Sequence, residues 1–103
     1  MLRITVMAHH DHTRLAIEGR LAGPWVDELM ECWRALRGTS HARLIRVDLD
    51  AVTFIDAAGA AVLRDMHAHG AVLEARGCMT RAVVEGIERE VRERMAQWRI
   101  AKD

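Results

Sequence analysis

Hydrophobic side chains near the start of the chain follow a period of two. In residues 2–8 and 13–21, apolar side chains alternate with polar or charged ones, a pattern typical of strands with one buried face. The segment His9–His12 separates the two stretches, so they are predicted to form an antiparallel hairpin. Residues 44–50 alternate in the same way, and a short fourth strand is predicted around 71–76.

Three other stretches follow the helical period. The first is predicted to start at Pro24, because the N–H groups of a first helical turn have no partner within the helix and proline has no N–H to leave unpaired. It is predicted to stop at Gly38. The second runs from Ala57 to about His69. The third covers residues 78–99 and is amphipathic, with an apolar stripe among arginines and glutamates.

These elements follow the order strand, strand, helix, strand, helix, strand, helix. Each strand has one apolar face and one charged or mixed face, whereas a sheet covered on both sides would consist of continuous apolar runs. A helix that connects two strands of one sheet joins parallel neighbours. The sequence therefore predicts a single domain over residues 1–103, with a two-layer α/β fold. Its small mixed four-stranded sheet carries the helices on one face.

Charge and composition restrict the kind of partner. The chain has 15 basic and 15 acidic residues and a formal net charge of zero, whereas a nucleic-acid-binding domain is normally basic. No apolar run reaches the roughly 18 residues of a membrane span, and the N-terminus lacks a signal-peptide pattern. We therefore expect a cytoplasmic protein with no nucleic-acid partner and no membrane insertion. Cys32 and Cys78 are expected to be reduced thiols.

Few residues form a pattern typical of catalysis or metal binding. His9, His10, Asp11 and His12 are suitable ligand types, but they lie in the predicted hairpin turn, with His10 and His12 on one side and His9 pointing elsewhere. We interpret them as a solvated turn. The sequence shows no nucleophile–base pair, metal-ligand set or phosphate-binding glycine loop. It therefore predicts a protein that is not an enzyme and has no metal or cofactor.

A single aspartate marks the start of the second helix. The apolar run Val52–Ile55 ends at Asp56, and Ala57, Ala58 and Gly59 follow. Aspartate is a favoured N-cap because its carboxylate accepts a hydrogen bond from a free N–H of the first turn and faces the positive end of the helix. The alanines are strong helix formers. The glycine permits a close backbone approach, from either a neighbouring strand or a partner.

The segment around this aspartate, VDLDAVTFIDAAGAAVLRDMHAHGAVL, resembles the STAS family (sulfate transporter and anti-sigma factor antagonist domains). In that family a strand leads into an Asp-Ser-Ser-Gly turn and then a helix. The segment EGRLAG at Glu18–Gly23 also resembles the family's segment between the second strand and the first helix. The resemblance covers roughly residues 2–77. It implies a STAS-like fold in which Asp56 and Gly59 occupy the motif positions.

The chain departs from the family pattern in two places. Ala57 stands where the resemblance places the phosphorylatable serine or threonine, and Ala58 stands at the second serine. A phosphate would add about −1.5 to −2 charges at pH 7, and alanine cannot accept one, so we expect this switch to be absent. Many family members also continue with a further strand and helix. Here residues 78–99 are predicted to be helical, so the final strand is expected to be missing.

The resemblance implies a regulatory module that binds another protein. The expected partner is a serine-kinase anti-sigma factor or, alternatively, the ATPase subunit of a lipid-transport ATP-binding cassette complex. A homodimer is a further possibility, which exposed apolar residues on the last helix would favour. We expect the partner to dock on the first turn and exposed face of the second helix, at Asp56, Ala57, Ala58, Gly59, Ala60 and Arg64.

Overall fold

The strands and helices follow the predicted order. The computed structural model describes residues 1–39 and 44–102, without the side chains of Thr39, Cys78, Met79 and 97–102. Within these residues there are four strands and three helices, and no strand follows the fourth. They are β1 (Leu2–Ala8), β2 (His12–Leu21), α1 (Trp25–Thr39), β3 (Leu44–Ile55), α2 (Ala57–Ala68), β4 (Val72–Glu74) and α3 (Cys78–Lys102).

The four strands form one mixed sheet in the order β1-β2-β3-β4. Strand β1 is antiparallel to β2, as predicted for the hairpin, and His9 N–H donates to the His12 carbonyl (2.8 Å) to close the turn. Strands β2, β3 and β4 are parallel to one another. The predicted fold class is therefore confirmed.

Strand β3 is longer than the alternating pattern predicted. It continues from Asp50 to Ile55 and contains two irregularities. While β2 advances from Ala16 to Glu18, β3 advances from Asp48 to Ala51, so β3 holds one extra residue. A second extra residue lies between Val52 and Phe54. Each such β-bulge interrupts the period of two, which is why the alternation could not be followed beyond residue 50.

One face of the sheet packs against all three helices in a single hydrophobic core. Leu15, Val47 and Leu73 are paired across the three parallel strands and all point into this core. Trp33 is buried in it, and Trp25 packs against its border. The helices contribute Val26, Leu29, Val62, Leu63, Met66, Val84 and Ile87.

The opposite sheet face carries a charged network. Arg14 of β2 donates to Asp48 of β3 (2.9 Å) and to Glu74 of β4 (3.2 Å), and Arg46 of β3 donates to the other Glu74 oxygen (3.2 Å). The network ties three neighbouring strands together through side chains that are only partly exposed. This explains how the sheet face without helices carries several charges.

Some expectations concern side chains outside the described part of the chain. Cys78 is among them, so the expectation that Cys78 is a reduced thiol stays a prediction. Cys32 is a free thiol, half-buried in α1. Across the ranges 1–39 and 44–102, no helix combines the length with the apolar composition needed to cross a membrane.

Candidate functional site

Asp56 joins two helix starts to the end of a strand. Its Oδ1 accepts a hydrogen bond from Gly59 N–H (2.7 Å), which confirms the predicted N-cap of α2. Its Oδ2 accepts from Gly23 N–H (3.0 Å), just before α1, and its own N–H donates to the Leu21 carbonyl at the end of β2 (3.1 Å). We call this group, Leu21, Gly23, Asp56 and Gly59, the Asp56 clamp.

Glycine is favoured at the two glycine positions of the clamp for different structural reasons. Gly23 has a φ of +59°, a left-handed conformation that favours glycine. A Cβ on Gly59 would lie 2.6 Å from the Leu21 carbonyl oxygen and 2.9 Å from Leu21 Cγ. Of the two explanations open from the sequence, the close approach at Gly59 is therefore to the neighbouring strand, and the residue is buried.

The hydrogen bonds of the clamp also determine the charge of Asp56. The N–H groups of Gly23 and Gly59 stabilise the carboxylate and lower the pKa of Asp56 below its ordinary value. The side chain therefore stays ionised at neutral pH. A general base that works near pH 7 would instead need a raised pKa.

The first turn of α2 presents methyl groups to solvent. Ala57 and Ala58 are both exposed directly after the clamp, and we call them the first-turn surface. Phe54, two residues before Asp56, is also exposed (46%), and the Arg20 guanidinium lies 4.7 Å from its ring centroid. Phe54 was missed from the sequence because the bulges in β3 hid which way its side chain points.

The remaining predicted site residues do not lie on this surface. Ala60 is half-buried and packs against the core. Arg64 lies on the side of α2 that faces α3, where it pairs with Glu90 (3.3 Å). Asp65, next to Arg64, accepts a hydrogen bond from Trp33 Nε1 of α1 (3.3 Å) and also lines the groove between α2 and α3. Of the predicted set, Asp56 and Gly59 hold the local fold, while Ala57 and Ala58 form an accessible surface.

The histidine-rich turn differs from its predicted arrangement. His9 lies beside His12: their rings stack with centroids 4.6 Å apart. The expectation that His9 points elsewhere was wrong, because the backbone hydrogen bond that closes the turn returns His9 toward His12. Asp11 contacts His12 Nδ1 (2.7 Å). Among the side chains that the structure describes, no group of three or more His, Cys, Asp or Glu is arranged to hold a metal ion.

The fold and the site together define a small two-layer α/β domain with an exposed helix start. No family model matches the chain, and no curated protein matches it. The crystal structure of a protein named Mglu is similar in backbone, with a TM-score of 0.55 and 21% sequence identity. The match covers 71% of this chain and 19% of the Mglu chain. At that identity the likeness concerns the fold alone.

Proposed function

We propose that this chain is a non-catalytic regulatory module that binds another protein through the first turn of α2. The observation that carries the proposal is the contrast within that turn. The Asp56 clamp holds the helix start with four residues in contact, while Ala57 and Ala58 next to it are exposed and carry no polar group. A rigid, accessible surface loses little conformational entropy when a partner binds.

The resemblance to STAS domains is consistent with this contrast between the residues that hold the helix start and the exposed alanines beside them. Asp56 and Gly59 occupy the motif positions, and each has a structural task in the clamp. Ala57 occupies the position of the phosphoacceptor, at a site that a partner or a kinase could reach. The closest functional analogy is therefore an anti-sigma factor antagonist that docks on a serine-kinase anti-sigma factor. Here the surface would stay permanently in its unphosphorylated form.

Two titratable groups support a role other than catalysis. Both Asp56 oxygens already accept backbone N–H groups, and the pKa of Asp56 is lowered. Burial raises the pKa of the Cys32 thiol, whereas a nucleophilic cysteine needs a lowered pKa.

The proposal is tested by affinity capture with three forms of the chain: wild type, Ala57→Glu and Ala35→Glu. Glutamate at Ala57 introduces the negative charge that phosphorylation would bring, and the start of a helix tolerates it. Ala35 is an exposed helical alanine on α1, so its variant is the matched control. An anti-sigma kinase that binds wild type and Ala35→Glu but is lost with Ala57→Glu is the expected result.

The alternative is a small STAS subunit of a lipid-transport ATP-binding cassette complex. The same experiment separates the two, because a transport ATPase subunit would then be lost with Ala57→Glu. If Ala57→Glu captures the same proteins as wild type, the first-turn surface is not the docking site and the proposal is wrong.

A further inference from the structure

A groove runs between α2 and α3, beyond the first-turn surface. Its volume is about 350 Å³. Ala61, Arg64, Asp65 and Ala68 line it from α2, and the two alanines are exposed. Val91, Arg94 and Met95 line it from α3. We call it the α2–α3 groove.

Met95 is the last apolar side chain of the α3 stripe that the structure describes, and it is exposed. Val84, Ile87 and Val91 are buried, in that order along the helix, whereas Met95, one turn further, is 49% exposed. A large flexible apolar side chain thus lines the same groove as the small side chains of Ala61 and Ala68, and methionine adapts well to apolar contacts. The described side chains leave about half of Met95 exposed (49%), so another molecule can contact it.

The charges around the groove have both signs. Arg64 and Glu90 pair with each other (3.3 Å). Glu93 and Arg94 flank them, and neither has an ion-pair partner among the described residues. Asp65 adds a third carboxylate to this border, so a partner of one charge sign would be repelled either by the carboxylates or by the arginines. A second copy of the chain, with a net charge of zero, can match both signs when it turns the same surface toward its own.

We propose that the α2–α3 groove is a homodimer interface. Met95 of each copy inserts between Ala61 and Ala68 of the other, and Glu93 of each copy pairs with Arg94 of the other. This interface uses the later turns of α2, roughly 12 Å along the helix from Asp56 at about 1.5 Å per residue. It does not rest on the proposed function of the first-turn surface.

The first test is sedimentation equilibrium from micromolar to millimolar concentration with wild type, Met95→Glu and Met7→Glu. Met7 is an exposed methionine (38%) on β1, so its variant controls for the added charge. We expect a wild-type dimer, and Met95→Glu should weaken dimerisation at least about tenfold, because the new carboxylate would replace the apolar contact with Ala61 and Ala68 and would approach Asp65 between them. Met7→Glu should dimerise like wild type. A wild type that stays monomeric throughout would overturn the proposal, as would equal effects of the two variants.

The second test exchanges the charges. Glu93→Arg leaves two adjacent cations and Arg94→Glu leaves two adjacent anions, so each variant alone should dimerise at least about tenfold more weakly than wild type. An equimolar mixture should restore dimers, because the two variants then complement each other. If the mixture remains monomeric, the reciprocal pairing of Glu93 with Arg94 is wrong.

Discussion

Two residues, Asp56 and Gly59, explain why a lone charge interrupts an apolar stretch. The sequence predicted the N-cap because that hydrogen bond is local, between Asp56 and Gly59. It could not predict the bond to Gly23, which lies 33 residues away and depends on how β2 ends beside β3. Nor could it choose between strand and partner as the reason for Gly59, since the carbonyl of Leu21 reaches that position only in the folded sheet.

At Gly59 we predict that substitution by alanine destabilises the protein by about 1–3 kcal/mol, the usual cost of forcing atoms into a filled space. The new Cβ would meet the Leu21 carbonyl oxygen. Gly86 in α3 is the matched control, because a Cβ there meets nothing within 4 Å. Gly86→Ala should stabilise the helix by about 0.5–1 kcal/mol. Urea unfolding should show a lower free energy of unfolding for Gly59→Ala and a higher one for Gly86→Ala. An unchanged free energy of unfolding in Gly59→Ala would refute the close approach.

For Asp56 we predict a contribution to stability that depends on pH. Its native pKa is lowered from an unfolded value of about 3.9, so the unfolded state takes up the proton first as the pH falls. The contribution is complete at neutral pH and decreases as the pH falls from about 5 through the native pKa. Urea unfolding at several pH values should give a shallower acid slope for Asp56→Asn than for wild type.

Asp56→Asn should keep part of the acid slope of stability, because Asp48 also contributes to it. Burial alone would raise the pKa of Asp48, but the Asp50 N–H and the Arg14 guanidinium outweigh burial and lower it. An acid slope identical in Asp56→Asn and wild type would contradict the role of the clamp.

At the scale of elements, local periodicity predicted the helices and strands well, and long-range pairing accounts for the differences. The strand starts and the helix starts follow from alternation, from Pro24 and from the cap at Asp56. The full length of β3 did not follow, because its two bulges are set by pairing with β2. The exposed Phe54 belongs to the same irregular stretch.

The charged network on the open sheet face predicts unequal effects for its two arginines. Arg14 contacts both Asp48 and Glu74, whereas Arg46 contacts Glu74 alone. Arg14→Gln should therefore cost about 1 kcal/mol, the upper range for partly exposed pairs, and Arg46→Gln clearly less. The difference should shrink at high salt, which screens such pairs. Equal losses in urea unfolding, unchanged by salt, would argue against the network.

For the whole molecule, the two layers leave distinct surfaces free. The helices cover one sheet face, and the charged network lies on the other. The first-turn surface and the α2–α3 groove lie at different points along α2. The family resemblance concerns the first of these, and Ala57 makes it a surface without a phosphoacceptor.

The missing hydroxyl leads to a prediction for the assembled complex. With a kinase partner and ATP, the wild-type complex should persist, because this chain offers no acceptor at position 57. Ala57→Ser should gain one phosphate by mass spectrometry and release the partner, since the added charge of about −1.5 to −2 would lie on the proposed docking surface. Release of wild type together with phosphate on this chain would contradict the prediction.

Amide hydrogen exchange of the chain, free and bound to the protein captured by wild type, maps the docking surface itself. Protection should appear in residues 54–60 and should disappear when Ala57→Glu replaces wild type. The strands that carry Arg14, Arg46 and Glu74 should exchange as in the free chain. Protection confined to those strands, with residues 54–60 unchanged, would show that the partner binds the open sheet face and that the first turn of α2 is not the functional surface.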